Sequence, residues 1–537
     1  MKQWISWIIA LMMLTSLASF AAAEEPAYTL PLPGERKTFT IMAPIEPGNA
    51  EFQDMDVLKM QEERTNVHIE WLTVPSESWI ERKNLALASG DLPDALLKAG
   101  LTDADAITYG GQGMLIDLKP LIDSYGVWTK NFFEARPQYL DAITLPDGTI
   151  PTMGYVEDLK GMTDCQQFWY LNKKWLAELG LNPPTTTDEL FDVLMAFKTQ
   201  DPNGNGIADE IPLSFMFGDK TITYRTNGLY YIFGAFGDVD NPLHIVLHDN
   251  QEMVFTADKD GYKEGVAYLH KLYENGLLDP EGFSQDGAVY NAKMRSEPEV
   301  IGSAFLWRGD STFGAERHDN DYMLLEPVKG PKGYQNWGGF LGDSLIKGVF
   351  AITDACNDPE TLFKWMDSLY EPEFAVYWNW GIGWEKNADG VLIPLDPPAG
   401  LTTPEWRSLT TINGYVPTAI LNEYYDNIVV MQPSAQWRAD IVNSVYRKYM
   451  PEIIYASDNS GQPYGLLPDE ILRLNELNLD INGYVSETVA HWIVEGGVEE
   501  EWDAYINQLK KMNLDELVQL YQTGYNRFRG WEAYPQQ

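Results

Sequence analysis

The chain has 537 residues and carries 38 Lys and Arg against 79 Asp and Glu, which gives a formal net charge of −41. Nucleic acids and anionic membrane surfaces are held by clustered basic side chains, so this balance argues against both classes of partner. Hydrophobic residues make up 45% of the chain. That fraction is too high for a disordered protein, and the length indicates two or more domains or lobes.

The N-terminus has the pattern of a secretory signal peptide. Lys2 precedes an apolar run from Trp4 to about Leu17, and small residues up to Ala23 come before Glu24. We expect cleavage after Ala23 and an exported protein, periplasmic or extracellular; an uncleaved membrane anchor is the alternative. No cysteine lies near this site, so we expect no lipid anchor there. No later stretch is apolar enough to span a membrane.

Strand and helix patterns alternate along the first part of the chain. Period-2 patterns and short apolar runs predict strands at residues 37–42, 67–71, 95–97, 148–151 and 167–171. Period-3.6 patterns predict helices at 51–65, 79–89, 175–179, 187–199, 262–274, 359–369, 502–511 and 514–528. Thr186 and Glu189 have the spacing of a capping box before one of these helices. Such alternation is typical of an α/β fold with a largely parallel sheet.

Residues 201–210 have the spacing of a calcium-binding loop. Gly206 provides the sharp turn, and Pro212 departs from the EF-hand pattern, so Glu210 would have to supply the last carboxylate. A strand-like segment, 211–215, follows where an EF-hand has a helix. A metal-free turn rich in Asn and Gly is the alternative to a structural Ca²⁺ site. The candidate oxygen ligands are Asp201, Asn203, Asn205, the carbonyl of Ile207, Asp209 and Glu210.

Several motifs resemble one known family. They lie at residues 87–94 (LASGDLPD), 168–181, 184–189, 196–198, 201–212, 501–511 and 521–528. In this order they resemble the extracellular solute-binding proteins, family 1, of carbohydrate ABC importers. The subgroup they resemble most includes alginate-binding periplasmic proteins and LplA-like lipoproteins.

The resemblance implies a two-lobed α/β clamp, a type II periplasmic-binding-protein fold, with the ligand between the lobes. It implies several hinge crossings, which we place near residues 145, 345 and 415, each within 10–15 residues. Lobe 1 would then comprise 24–144 with 346–415, and lobe 2 would comprise 145–345 with 416–537, including the loop 201–210. The same resemblance assigns the loop's oxygen ligands to calcium.

Three aromatic clusters have the side chains that bind sugars, because Trp and Tyr cover the apolar faces of a sugar while polar groups bond its hydroxyls. They lie at 305–310, 336–339 and 377–385, with core packing as the alternative for each. We expect Trp365 and Trp380 to pack in the core. Asp94 is included among the ligand-binding candidates mostly because it belongs to the family motif at residues 87–94. The ligand-binding candidates are Asp94, Trp307, Arg308, Trp337, Trp378 and Trp384.

The sequence therefore predicts the binding component of an ABC importer, not an enzyme, with an oligosaccharide and membrane permease subunits as partners and a monomeric state. A secreted glycoside hydrolase, which needs a carboxylate pair about 5–10 Å apart, or a peptide-binding relative is the alternative. The net charge favours a neutral oligosaccharide over uronate oligomers. Cys165 and Cys356 either form a disulfide or stay as two buried thiols.

Overall fold

The computed structural model describes residues 27–158, 165, 167–217, 228–248, 251–338, 345–412, 414–450 and 463–530, apart from the side chain of Ser434. The predicted signal peptide, residues 1–23, lies outside these ranges. None of the helices within them has the length and hydrophobicity needed to span a bilayer.

The strands of the described residues are β1 (Lys37–Ile45), β2 (Val67–Pro75), β3 (Ala95–Leu97), β4 (Met153–Glu157), β5 (Phe168–Asn172), β6 (Ile245–Leu247), β7 (Met253–Phe255), β8 (Ser303–Leu306), β9 (Tyr322–Leu324), β10 (Leu345–Ile352), β11 (Trp384–Lys386), β12 (Leu392–Pro394) and β13 (Ala419–Ile420). The α-helices are Asp56–Thr65, Trp79–Ser89, Asp103–Gly111, Lys119–Tyr125, Trp128–Ala135, Pro137–Ile143, Lys173–Leu179, Thr187–Thr199, Asp260–Glu274, Gly287–Met294, Gly309–Phe313, Ala315–Asn320, Pro359–Asp367, Pro372–Trp380, Thr403–Thr410, Asn422–Asn427, Pro433–Ile441, Pro468–Glu495, Val498–Lys511 and Leu514–Phe528.

The first lobe is built on a six-stranded sheet with the order β13-β4-β10-β3-β1-β2. β1 pairs in parallel with β2 and β3, and β13 pairs in parallel with β4. β10 runs antiparallel between β3 and β4, so the other five strands share one direction. The predicted α/β fold with a largely parallel sheet is therefore confirmed. The carboxyl ends of the five strands meet at one edge, which is where open α/β sheets bind ligands.

Helices cover both faces of this sheet. On β1, Ile41 packs in a core with Val57, whereas its neighbour Met42 packs in a separate core with Trp79 and Leu87. Successive side chains of a strand point to opposite faces, so the two cores lie on the two sides of the sheet. Strands buried on both faces are apolar throughout, which explains why the period-2 signal of β1 fades after its first residues.

The second lobe is built on an antiparallel three-stranded sheet, β8-β5-β9, surrounded by helices. The longest helix is Pro468–Glu495. Its buried side chains recur every three or four residues, which places an apolar stripe along one face of the helix. These side chains are Ile471, Leu474, Leu477, Ile481, Val485, Val489, Trp492 and Ile493. The helices Val498–Lys511 and Leu514–Phe528 join the same core.

Over the described residues the chain passes between the two lobes three times, and Tyr464 also packs in the first core. The first core contains side chains from Leu32 to Val156 and from 345 to 421, and the second contains side chains from Cys165 to Trp337 and from 442 to 525. The predicted lobe boundaries stay a prediction, and the strand order locates the crossings more narrowly, because β4 and β13 both lie in the first sheet. The first crossing therefore follows residue 157. The third follows residue 430, because main-chain hydrogen bonds join Leu392 to Ile428 and Val430. The second crossing lies just before β10, which is in the first sheet.

Three local predictions were wrong in detail. Residues 148–151 form no strand; the strand begins at Met153, after Pro151, which lacks the N–H that a ladder needs. Residues 211–215 contribute isolated bridges only. The Thr186 hydroxyl accepts from the Glu189 N–H at 3.2 Å, but the Glu189 carboxylate bonds Thr185 at 2.7 Å, so the capping box is half formed.

The two cysteines are buried thiols in different cores. Cys165 lies beside Trp337, whose indole Nε1–H donates to its sulfur at 3.4 Å. Burial raises the pKa of the Cys356 thiol to about 11, which keeps it in the unreactive protonated form. Of the two alternatives left open by the sequence, the structure therefore has the pair of thiols.

We expect a thiol reagent such as DTNB to react slowly with the native protein and to titrate two thiols per chain once denaturant exposes them. Burial denies the reagent access, and thiolate, not thiol, is the nucleophile. The absorbance of the released dye measures both the reaction rate of the native protein and the number of thiols in the denatured chain. If the unreduced, denatured chain released no dye, the cysteines would be paired and this assignment would be wrong.

Candidate functional site

Polar side chains from four segments meet beyond the carboxyl end of β4. We name Tyr155, Glu157, Asn379, Arg407 and Tyr425 the first-lobe cluster. The Tyr155 hydroxyl donates to the Glu157 carboxylate. The guanidinium Nε of Arg407 donates to the Asn379 carbonyl at 2.8 Å, and its Nη2 lies 3.4 Å from the Asn379 Oδ1. Residues far apart in sequence thus converge on the edge of the sheet that is suited to ligand binding.

Some hydrogen-bonding atoms of this cluster have no partner among the described residues. Burial raises the pKa of Tyr155 and of Tyr425 well above the ordinary value, and the charge of Glu157 raises both further. Both hydroxyls therefore remain protonated donors. Within the described residues, Nδ2 of Asn379 and the hydroxyl of Tyr425 have no hydrogen-bond partner. Buried polar groups are normally satisfied, so these two atoms retain hydrogen-bonding capacity that no described residue uses.

Two further charges lie at the same edge. Glu46 follows β1, and Lys98 follows β3 in a left-handed conformation with φ 49°. Burial lowers the pKa of Lys98, an effect that Glu46 opposes and Arg407 reinforces. Lys98 and Arg407 are thus accompanied by Glu46 and Glu157, and the formal charges of these four side chains sum to zero.

An aromatic group forms the corresponding surface of the second lobe. We name Phe168, Trp307, Trp437 and Arg438 the second-lobe cluster. Arg438 lies over the rings of Trp307 and Phe168, with its guanidinium carbon 3.4 and 4.3 Å from their centroids. Trp437 meets Phe168 edge to face, with centroids 5.8 Å apart.

The two clusters lie on either side of the first crossing. Glu157 is the last residue of β4, and Phe168 is the first residue of β5, where it pairs with Leu306 next to Trp307. A polar surface of one lobe and an aromatic surface of the other therefore border the same connecting segment. This is the position of the cleft in a two-lobed clamp, and we take it as the candidate site.

The predicted aromatic candidates are distributed unevenly. Trp307 is half-buried and lies next to Leu306, which pairs with Phe168 after the first crossing. Trp337, Trp378 and Trp384 are buried, with 1%, 0% and 5% of their surface exposed, and they pack in hydrophobic cores. Their role as ligand contacts stays a prediction, and the structure gives all three a packing role in this conformation.

Helical periodicity explains the difference around Trp378. Residues 377–380 end the helix Pro372–Trp380, so Phe374 and Trp378, four residues apart, both face the core. Trp380 is half-buried and its ring lies 5.9 Å from that of Tyr425. Trp380 packs at the edge of a small hydrophobic cluster, and Trp365, 1% exposed, packs in the core as expected.

Two polar candidates have internal partners. The Arg308 Nε donates to Asp310 at 2.9 Å, so the charge of Arg308 is offset locally. The Asp94 carboxylate accepts from the Thr40 N–H at 2.7 Å and from its hydroxyl at 2.9 Å. These bonds tie the loop before β3 to the neighbouring strand β1. Asp94 lies at the amino end of β3, opposite the candidate cleft, so its ligand role stays a prediction while its structural role is evident.

The calcium-type loop forms a compact turn in the second lobe. Main-chain N–H groups of Asn205 and Gly206 donate to the Asp201 carboxylate at 3.1 and 2.9 Å. The Nδ2 atoms of Asn203 and Asn205 donate to Asp209 at 3.0 and 3.1 Å. Asp201 and Gly206 have φ values of 47° and 76°, which supply the sharp bends of the loop.

Glu210 is the last residue of this loop, and its side chain is buried. It is 2% exposed, and its Oε1 has no hydrogen-bond partner. Burial raises the pKa of Glu210, and the charges of Asp209 and Asp201 raise it further. Among the described residues, no group of three or more acidic, His or Cys side chains is gathered closely enough to define a metal site. The loop therefore has the donor chemistry for a hard cation, with its amides turned toward Asp209.

A surface pocket of about 840 Å³ lies at the other end of the second-lobe sheet. Its basic residues Arg295 and Arg317 donate to main-chain carbonyls, among them those of Thr312 and Met294. These cations hold the chain together, and the pocket is remote from the first crossing. We therefore place the candidate site at the two clusters and not at this pocket.

The architecture is that of a solute-binding clamp, and the family model for bacterial extracellular solute-binding proteins matches residues 43–376. The chain belongs to this family, so the predicted family resemblance and the two-lobed fold are confirmed. It is 32% identical over 547 residues to the fructooligosaccharide ABC transporter substrate-binding protein FusA of Streptococcus pneumoniae serotype 4, covering 97% of this chain and 98% of FusA.

Solved structures agree with this assignment. FusA in complex with kestose and an EF-hand mutant of FusA in complex with fructo-nystose each match with a TM-score of 0.81 over 92% of this chain and 100% of FusA, at 32% identity. An extracellular solute-binding protein from Bifidobacterium longum subsp. infantis is 26% identical, with a TM-score of 0.80 over 92% of this chain and 98% of that protein. The alginate-binding protein AlgQ2, 21% identical with a TM-score of 0.67 over 92% and 99% of the two chains, shares the fold.

We expect Asp94→Ala to lower the melting temperature, because it leaves the Thr40 N–H without its acceptor. Loss of a hydrogen bond to a charged group costs about 1–3 kcal/mol. Asp91→Ala, an exposed acid in the same loop, is the matched control and should melt like the parent. Differential scanning calorimetry measures all three proteins. If Asp94→Ala were as stable as the parent, Asp94 would not stabilise the fold through its hydrogen bonds to Thr40, and the structural role would be wrong.

Proposed function

We propose that this protein is the extracytoplasmic solute-binding component of an ABC importer, which captures an oligosaccharide between its lobes and delivers it to permease subunits in the membrane. The observation that carries this proposal is the pair of clusters bordering the first crossing. One offers donors and acceptors for hydroxyl groups, and the other offers the half-buried indole of Trp307 for an apolar sugar face. The likeness to FusA, a fructooligosaccharide-binding protein, supports it.

We propose a neutral oligosaccharide as the solute. The charges of Lys98 and Arg407 are accompanied by those of Glu46 and Glu157, so the cleft edge provides no net positive charge for a polyanion. The net charge of −41 disfavours anionic solutes further, over a Debye length of about 8–10 Å. FusA binds kestose, a neutral sugar, which makes kestose the first probe. Uronate oligomers are the competing class.

The family relationship favours binding without catalysis over a secreted glycoside hydrolase. A hydrolase needs two carboxylates flanking the scissile bond. In the first-lobe cluster the carboxylate is that of Glu157, and it accepts a hydrogen bond from Tyr155. Peptide binding is a weaker alternative, because no feature of the clusters favours it over a sugar. We also propose export with cleavage after Ala23, no lipid anchor, and a monomeric protein.

We propose that the loop 201–210 holds a structural Ca²⁺. The side chains of Asp201, Asn203, Asn205, Asp209 and Glu210, with the Ile207 carbonyl, would be the ligands. They fit the ion because they are hard oxygen donors and because the buried Oε1 of Glu210 has no protein partner. Rotation of the two Asn amides about their side-chain bonds would present oxygen in place of nitrogen. A bound ion would offset the three negative charges. The EF-hand of FusA supports the proposal.

Removal of calcium by a chelator should lower the melting temperature by several degrees, because an ion that binds only the folded state adds about 2.7 kcal/mol at a hundredfold excess over Kd. Asp209→Ala should melt low and respond little to the chelator. Glu178→Ala, an exposed acid in the same lobe, is the control and should respond like the parent. Identical melting of the parent with and without chelator, in protein verified as metal-free, would contradict a structural ion.

Kestose should bind to the protein without being cleaved, and Arg407→Met should weaken its binding about 10- to 100-fold. The variant removes charged donors from the first-lobe cluster, and a hydrogen bond from a charged group contributes about 1.5–3 kcal/mol. Isothermal titration calorimetry gives Kd, and chromatography of the sugar detects products. Arg82→Met, on an exposed helix face, is the control.

The same titration with uronate oligomers at two salt concentrations tests the charge class. We expect weaker binding than for kestose. If uronates bound more tightly, and lost affinity as salt rose, local cations would outweigh the net charge and the neutral-solute proposal would be wrong. Release of fructose from kestose would favour the hydrolase.

A further inference from the structure

Arg438 is a buried cation whose contacts converge on one aromatic residue of the candidate site. It lies in the helix Pro433–Ile441 and has 0% of its surface exposed. Its two Nη atoms donate to the main-chain carbonyls of Trp307 and Cys165. Its guanidinium carbon lies 3.4 Å from the Trp307 ring centroid, so one side chain contacts both the backbone and the ring of Trp307.

These contacts join three distant parts of the chain. Cys165 follows the first crossing, Trp307 follows β8, and Arg438 lies just after the third crossing. The guanidinium carbon also lies 4.3 Å from the ring centroid of Phe168, which is itself stacked on Tyr446, with ring centroids 5.4 Å apart. Burial of a charge is costly unless hydrogen bonds and aromatic faces replace water, and this site supplies both.

We propose that Arg438 is a positioning residue for the solute: it fixes the indole plane of Trp307, so that the opposite ring face is presented to the sugar without a search among rotamers. The inference rests on the proposed function, and it adds a residue that makes no solute contact of its own. Lysine would not replace it, because a planar fork can stack on an indole while donating to two carbonyls, whereas an ammonium cannot.

The alternative is that Arg438 only holds the chain segments together. In that case its loss would lower stability and weaken binding by the same factor whether or not the indole is present. If Arg438 acts through Trp307, its loss should weaken binding roughly 3- to 10-fold, the range expected when a side chain must be ordered on binding, and only while the indole is there. A double-mutant cycle separates the two.

The first measurement needs no solute. Protein labelled with 5-fluorotryptophan is studied by ¹⁹F NMR, and Trp307→Phe identifies the resonance of residue 307 by its disappearance. We expect that resonance to move toward the position of a freely rotating indole in Arg438→Met, and also in Arg438→Lys if Arg438→Met does not fold. Arg82→Met is the control. An unchanged Trp307 resonance in a folded Arg438 variant would overturn the proposal.

The second measurement is the affinity for kestose of the parent, Arg438→Met, Trp307→Ala and the double variant. We expect the roughly 3- to 10-fold loss caused by Arg438→Met to fall to less than about twofold in the Trp307→Ala background. An equal loss in both backgrounds would overturn the proposal. If the parent does not bind kestose, the kestose assignment fails by itself, and the ¹⁹F measurement still decides whether Arg438 positions Trp307.

Discussion

Strand β10 runs against its neighbours in the six-stranded sheet, and the location of the candidate site depends on that reversal. Because β3 and β4 end at one edge, an antiparallel strand between them must begin there. The chain leaving β4 for the second lobe and the chain returning to β10 therefore pass the same edge. Gly348, with φ 67°, lies at an irregularity of β10 where a Cβ would come within 1.9 Å of the Leu101 carbonyl oxygen, so this packing requires glycine.

The two sides of the cleft have different chemistry for a physical reason. The first-lobe cluster gathers at strand ends, where the regular hydrogen bonding of the sheet stops and polar side chains can take its place. The second-lobe cluster surrounds the start of β5 and the end of β8, where Arg438 is stabilised by two carbonyls and two aromatic rings. A sugar presents both kinds of surface, and the two clusters together complement it.

Much of the fold followed from local patterns in the sequence, and the cleft did not. The helices Trp79–Ser89 and Leu514–Phe528 were predicted to the residue, because each has an apolar face and a clear end. The helix Pro372–Trp380 was missed because its many aromatics mask the period, yet that period decides that Trp378 is fully buried and Trp380 only half-buried. The calcium-type loop is one contiguous segment, so the spacing of its oxygen-bearing residues could be recognised in the sequence.

The residues of the cleft could not be grouped from the sequence. Glu46, Lys98, Glu157 and Arg407 come from four separate segments, and only the strand order brings them to one edge. Arg438 had no local signal at all, since a single Arg in a polar helix is ordinarily exposed. The ligand role of Trp307 stays a prediction, and the contact of Arg438 with its ring could not be inferred without the fold.

Small-angle X-ray scattering tests the central claim, that the solute is held between two lobes joined by several crossings, most directly. Two lobes that close on a ligand by rotation about these crossings should give a smaller radius of gyration with saturating kestose than without it. The Arg407→Met protein at the same kestose concentration, below its weakened Kd, should keep the larger value. Tight binding of kestose by the parent with an unchanged radius of gyration would contradict a clamp that closes on its solute.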